Sequence, residues 1–277
     1  MNRALLALVL AACSSKSPAA EGSGSAASVV AAPGDAAMAV APIDAAPVAT
    51  TPLLASNKQL VTAVVDDWDA TTATMRLYYR NKEGGWSSEG DPWPAVIGAN
   101  GSGWGAGLHG VGAPAGRTGP VKHEGDKKNP AGAFVLRGGF GYAQKAPPTR
   151  LAYQSMSDAW KCVDDPSSQK YNTLLDESTV TKDWSSAEEM HRKDVLYTWG
   201  IEVAHNAQRT PGNGSCIFLH VWSGPGTHTV GCTAMPEDKL LALFASLDPA
   251  NQPVFVLLPR AEYAALGEAW DLPPLVP

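Results

Sequence analysis

Positive charge is scarce in this chain. Lys and Arg number 21 against 27 Asp and Glu, a formal net charge of −6. No global field draws nucleic acid or an anionic lipid surface, and no nucleic-acid partner is expected. No apolar stretch reaches the ~20 residues that a membrane-crossing helix needs; the candidate run, Ala4 to Val9, is far too short. No segment recurs at a fixed period, which argues against a solenoid. Nucleotide-binding loops, acidic metal clusters and cofactor motifs are lacking too, so neither cofactor nor metal is expected. Cysteine is limited to four residues, Cys13, Cys162, Cys216 and Cys232. What is present is the composition of a folded protein: with 44% hydrophobic and 17% charged residues, most of the length lies outside the range of disorder.

Three segments follow from the composition. In residues 1–13, Asn2-Arg3 supplies a short positive region, Ala4 to Val9 an apolar run and Leu10-Ala11-Ala12-Cys13 a small-residue processing site. This resembles a bacterial lipoprotein signal with Cys13 as the lipidated residue, giving a membrane partner through a lipid anchor. An ordinary secretory signal with an incidental Cys would also send the chain out of the cytoplasm. Ser14 stands where an Asp would favour inner-membrane retention, so the expected location is the periplasmic side of the envelope, at the outer membrane in a Gram-negative cell. Residues 14–57 are dominated by Ala, Pro, Ser, Gly and Val without helical or strand periodicity and read as a disordered tether. Residues 58–277 are expected to form one domain.

Within that domain, Gln59 to Trp68 and Thr74 to Tyr79 are rich in Val, Thr, Tyr and Leu and predict strands; so do Ala131 to Leu136, Ile217 to Val221 and Pro253 to Leu258. Gly98 to Gly119 and Gly138-Gly139-Phe140-Gly141 predict tight backbone. Ser185-Ser186-Ala187-Glu188-Glu189 has a Ser cap and an acidic first turn and predicts a helix up to Lys193. Pro236-Glu237-Asp238 opens another helix, Lys239 to Leu247, with Leu240, Leu243, Phe244 and Leu247 on one face.

Reactive side chains concentrate near the C-terminus in Gly214-Ser215-Cys216-Ile217-Phe218-Leu219-His220 and Thr227-His228-Thr229-Val230-Gly231-Cys232. A thiol that attacks a carbonyl needs a base for its proton and backbone N–H donors for the oxyanion. Cys232 supplies the thiol, His220 at the end of a strand the base, and Gly231 a turn tight enough to aim amides at one oxygen.

At these residues the chain resembles the L,D-transpeptidases of the YkuD type, which place a His after an apolar strand and then Ser/Thr-x-Gly-Cys, here Thr229-Val230-Gly231-Cys232. Asn129-Pro130-Ala131-Gly132-Ala133-Phe134, Val163-Asp164-Asp165-Pro166, Tyr171-Asn172 and His205-Asn206 extend the resemblance over about residues 110 to 258. It departs where Val230 replaces the usual His before Gly-Cys, with His228 two positions upstream, and where Ala234 replaces the usual Asn. The resemblance implies a mainly β α/β domain, a mixed β-sheet or β-sandwich with peripheral helices. It also implies a Cys232 acyl-enzyme formed on a peptidoglycan tetrapeptide stem and passed to an amine acceptor, with Gly231 and Cys232 amides as oxyanion donors. Thr229, His205, Asn206 and His228 are candidate substrate-binding residues under that resemblance.

Other chemistries stay open. Water in place of the amine gives an L,D-carboxypeptidase with the same Cys-His site, and a non-catalytic wall-associated lipoprotein needs neither. Cys216, His220, His228 and Cys232 also have zinc-ligand spacings, although a strand through Cys216 to His220 holds the two side chains about 13 Å apart. Cys162 and Cys216 are read equally as a disulfide or as two buried thiols. Lys122, Lys127 and Arg209 are candidates for meeting stem carboxylates, and Trp184, Trp199 and Trp222 for lining a groove.

Overall fold

The computed structural model describes residues 51–275, so the signal, Cys13 and most of the tether lie outside the described residues. Residues 51–57, expected to belong to the tether, include a stretch that packs on the domain. Leu54 is fully buried, and the N–H groups of Leu53 and Leu54 donate to the carbonyls of Ala269 and Trp270. Two adjacent leucines bury enough apolar surface to fix this stretch against the domain.

The strands in chain order are β1 (Gln59–Val65), β2 (Thr72–Arg80), β3 (Trp86–Val96), β4 (Ser102–Trp104), β5 (Ala106–Gly107), β6 (Gly110–Val111), β7 (Asn129–Gly141) and β8 (Tyr153–Ser155). Then come β9 (Trp160–Val163), β10 (Thr173–Asp176), β11 (Ala187–Glu189), β12 (Gly200–Val203), β13 (Phe218–Val221) and β14 (Thr233–Met235). Helix α1 (Glu237–Ser246), strand β15 (Val254–Pro259) and helix α2 (Arg260–Trp270) complete the domain. The protein is therefore mainly β with two helices.

Eight strands close on themselves in the order β12-β13-β14-β3-β2-β1-β15-β7, because β7 also pairs with β12. The expected β-sandwich is corrected here to a closed barrel. The closing register, Gly200↔Phe140 and Ile201↔Gly139, depends on residues without side chains. A Cβ at Gly139 would lie 2.2 Å from the Phe244 ring, and one at Gly200 2.2 Å from that of Phe140. The sheet is mixed, with parallel pairs β1–β15 and β13–β14 among antiparallel ones. All six residues of β15 are buried, and its continuous Val-Phe-Val-Leu-Leu run follows from cover on both faces. Leu240, Leu243, Phe244 and Leu247 of the α1 segment enter the core on one stripe, as their spacing predicts. Helix α2, which adds Tyr263, Leu266 and Trp270 to the core, is not among the elements read from the sequence.

A second, three-stranded sheet in the order β10-β9-β11 stands beside the barrel. It replaces the helix expected from Ser185. The Ser185 N–H and hydroxyl both donate to the Asp165 carboxylate at 2.7 Å instead of capping a helix, and Ala187 to Glu189 pair with β9. The local helix signal loses to this tertiary pairing.

Candidate active site

The site is built on the parallel pair β13–β14. All four residues of β13 are buried, in register Leu219↔Thr233, His220↔Ala234 and Val221↔Met235. Cys232 directly precedes β14, opposite Phe218, whose N–H donates to Cys232 Sγ at 3.3 Å. Side chains alternate along a strand, so His220 shares the face of Phe218 and is the diagonal neighbour of Cys232, with Cα atoms on the order of 7–8 Å apart. Both residues line a cavity of about 370 Å³, with Glu188, Arg192, Tyr197 and Trp222 also in its walls. His228 is exposed at this cavity and Val230, 70% exposed, stands beside it.

The turn into Cys232 is clamped. Thr229 N–H donates to the Ile97 carbonyl at 2.8 Å and the Thr229 carbonyl accepts from Ala99 at 2.9 Å. The Thr229 hydroxyl donates to the Cys232 carbonyl at 2.6 Å and accepts the Gly231 N–H at 3.2 Å. Gly231 has φ 151°, a conformation that favours glycine. The Gly231 amide, expected to face an oxyanion, is thus held by Thr229, and Thr229 acts as a brace as well as a wall of the cavity. Thr229→Val keeps the shape and loses both bonds. It is expected to cost about 1–3 kcal/mol in denaturant melts, and an unchanged midpoint would contradict the brace.

The electrostatics favour neutral partners. Burial pushes the Cys232 thiol up to about 12, with the Glu188 carboxylate adding to the rise. Burial lowers His220 to about 4. His220 Nδ1 lies 2.7 Å from the Val221 carbonyl. That fixes the proton on Nδ1 and leaves Nε2 as the nitrogen able to accept one. Tyr197 packs edge-on to the His220 ring at 5.1 Å and donates its hydroxyl to Glu188 Oε1 at 2.6 Å. A neutral thiol and a neutral imidazole thus share one cavity.

Cys162 and Cys216 form a disulfide, with Cα atoms 5.9 Å apart, resolving that open choice. The bridge ties β9 to the residues before β13. Cys216 has φ 55° and lies outside the strand, which begins at Phe218 and not at Ile217. Its carbonyl accepts from Cys232 Sγ at 3.4 Å. With its sulfur in the bridge, Cys216 is no zinc ligand, which dismantles the four-ligand set. Cys232 is the unpaired cysteine among the described residues.

His205 and Asn206 do not line this cavity. His205 is 3% exposed, takes the Ala106 N–H on Nδ1 at 3.3 Å and meets the Asn213 carbonyl with Nε2 at 2.8 Å. Asn206 donates to the Thr210 and Gly214 carbonyls and accepts from Thr210 N–H. Through these bonds both hold the loop leading to Cys216. Burial lowers His205 to about 4, below its ordinary value near 6.5. The unfolded chain therefore binds an extra proton between those values, and stability falls as pH drops from about 6.5 to 4, by about 3 kcal/mol from this residue. Against wild type, His205→Asn should lose less stability over that window in melts at stepped pH; identical slopes would refute the assignment. Glu188 titrates in the opposite sense, since burial raises it to about 7.

Of the other candidates, Lys122 is buried and ion-paired to Asp126, Lys127 lines the cavity, and Arg209 is exposed away from it. Trp222 is a wall residue, Trp199 donates to Glu237 at 2.9 Å and Trp184 belongs to a separate small core. Glu188, Arg192 and Tyr197 were not singled out by the sequence: Glu188 carried a helix signal and Tyr197 none. Comparison with family models, curated proteins and solved structures finds no match to this chain.

Proposed function

We propose that the protein is a cysteine acyltransferase of the L,D-transpeptidase type acting on peptidoglycan stem peptides. The observation that carries the reading is the diagonal placement of Cys232 and His220 on β13–β14 at one shared cavity, with His220 Nδ1 tied to Val221 and Nε2 left to accept a proton. The closed barrel is not the sandwich that the resemblance implies, so the support comes from the site and not from the fold.

In this reading Cys232 passes its proton to His220 Nε2 as its sulfur attacks the carbonyl of the bond between diaminopimelate and D-Ala. The leaving amine of D-Ala takes that proton, and a thioester remains on Cys232. An amine from a second stem then attacks the thioester, forming an amide and restoring the thiol. Cys13 anchors the chain in the envelope, and the stretch from 14 to about 50 gives the domain reach to the wall. Loss of fatty-acid labelling in Cys13→Ala would support the anchor, and undiminished labelling would refute it. No helix among the described residues is long and apolar enough to cross a membrane.

The test is incubation of the protein with disaccharide-tetrapeptides and product analysis by mass. Dimers formed with loss of D-Ala support the transpeptidase. Tripeptide alone moves the reading to an L,D-carboxypeptidase, and unchanged substrate refutes both.

A further inference from the structure

The Asn129-Pro130-Ala131-Gly132-Ala133-Phe134 motif has no part in the mechanism above, yet its first residue reaches the turn that carries Cys232. Asn129 opens β7 and is fully buried, and its Nδ2 donates to Thr233 Oγ1 at 2.8 Å. Thr233, 1% exposed, directly follows Cys232 and opens β14, in register with Leu219 of β13.

The segment leading into Asn129 is fixed from several sides. Asp126 takes the N–H groups of His123 at 2.7 Å and Lys128 at 2.8 Å and is ion-paired to Lys122. The Asn129 N–H donates to the Gly101 carbonyl at 2.8 Å, and Pro130 favours extended backbone in the residue before it. A Cβ at Gly98 would lie 2.3 Å from the Lys127 carbonyl oxygen and 2.8 Å from the Asn129 nitrogen, and one at Gly231 3.3 Å from the Lys128 carbonyl oxygen. Residues 127–129 are thus pressed between Gly98 and Gly231, against the turn.

We propose that Asn129 is a positioning residue that sets the place of the Cys232 sulfur by holding Thr233. The turn then has a hydroxyl anchor on each side of the cysteine, Thr229 on the Cys232 carbonyl before it and Thr233 on Asn129 after it. The sulfur itself meets only the Phe218 N–H and the Cys216 carbonyl, at 3.3 and 3.4 Å, so its place is set by the backbone that carries it. Asn129 serves stability poorly. Its Oδ1 is buried with no partner, as is the Oγ of Ser102, its partner in register on β4. A buried oxygen left unpaired costs more than one neutral hydrogen bond contributes. A residue that breaks this rule is expected where a site needs geometry more than stability. The catalytic consequence rests on Cys232 being the nucleophile; the placement of the sulfur does not.

The test follows the thiol and the reaction separately, in the full chain and well below its melting temperature. Alkylation of Cys232 by iodoacetamide, read on its peptide by mass, is expected to quicken about tenfold in Asn129→Ala and in Thr233→Val, because a released turn opens locally and exposes the sulfur. Thr233→Ser keeps the hydroxyl and should hold the wild-type rate. The double variant, Asn129→Ala with Thr233→Val, should be no faster than the faster single one, since both remove the same interaction. In turnover of disaccharide-tetrapeptides, Asn129→Ala and Thr233→Val should lose about tenfold or more in kcat with KM changed less than about twofold, the opposite sign to alkylation. A purely structural amide would lower the melting midpoint and leave both rates of the folded protein alone. Alkylation at the wild-type rate in both single variants overturns the proposal, and so do additive effects in the double variant or wild-type kcat in the singles. If Asn129→Ala does not fold, Thr233→Val against Thr233→Ser decides by the same readings. Alkylation that responds as expected in a protein that leaves tetrapeptides untouched would sink only the transpeptidase reading, and turnover with unresponsive alkylation only this one.

Discussion

Replacing Cys232 with alanine is expected to reduce tetrapeptide turnover by roughly ten-thousandfold or more while leaving the protein folded. The size follows from the role: without the sulfur no thioester forms, and binding and backbone dipoles alone give a small residual rate. The structural cost is small because Cys232 Sγ makes only two weak hydrogen bonds, with Phe218 N–H at 3.3 Å and the Cys216 carbonyl at 3.4 Å. Losing these and a buried sulfur should cost about 1 kcal/mol. Turnover of muropeptides and thermal melting, measured on the same preparation, separate the two effects. Retained turnover would remove Cys232 from the chemistry, and an unfolded variant would show that the thiol is a core residue first.

Reducing the Cys162–Cys216 bridge is expected to lower stability by about 4 kcal/mol, the chain-entropy value for a closed loop of this length; the two cysteines are 54 residues apart. For a domain of this size that corresponds to a fall in Tm of roughly 8 °C. The effect should reach the site, because the Cys216 carbonyl is one of the two backbone groups against the Cys232 sulfur, and the bridge anchors β9, on whose partner β11 Glu188 lies. Melting of oxidised and reduced protein, and of Cys162→Ser with Cys216→Ser, checks the prediction. Equal midpoints would mean that the small sheet is held by its own contacts.

The barrel strands at either end of the domain were legible because their apolar runs are long or alternating. Gln59 to Val65 and Val254 to Pro259 form where Val, Leu and Phe accumulate, and α1 forms with its Leu240, Leu243 and Phe244 stripe. Cys232 and His220 stood out as a pair because a thiol nucleophile calls for a base, and the register of β13 against β14 brings both to one cavity. The closure of the sheet was not, since it depends on β12, four residues long, finding β7 some sixty residues upstream. Glu188 was misread for a related reason. A Ser followed by acidic residues signals a helix start, but here the Asp165 carboxylate captures Ser185 and draws the segment into a strand. His205-Asn206 stood out as a short motif, and such a motif does not distinguish a ligand contact from a loop brace whose polar atoms are all taken.

Closure of the barrel also limits how a peptide can be recognised. β13 is flanked by β12 and β14, and β14 by β13 and β3. The strands that carry His220 and lead from Cys232 therefore have no open edge to which an extended peptide could add as a further strand. Under the proposed function, a stem peptide would be gripped through its side chains and termini by the surrounding segments, the one bearing Glu188, Arg192 and Tyr197 and the one from Trp222 to Val230. Selectivity can then be changed by altering those two segments alone, without disturbing the ring of strands beneath the reactive sulfur.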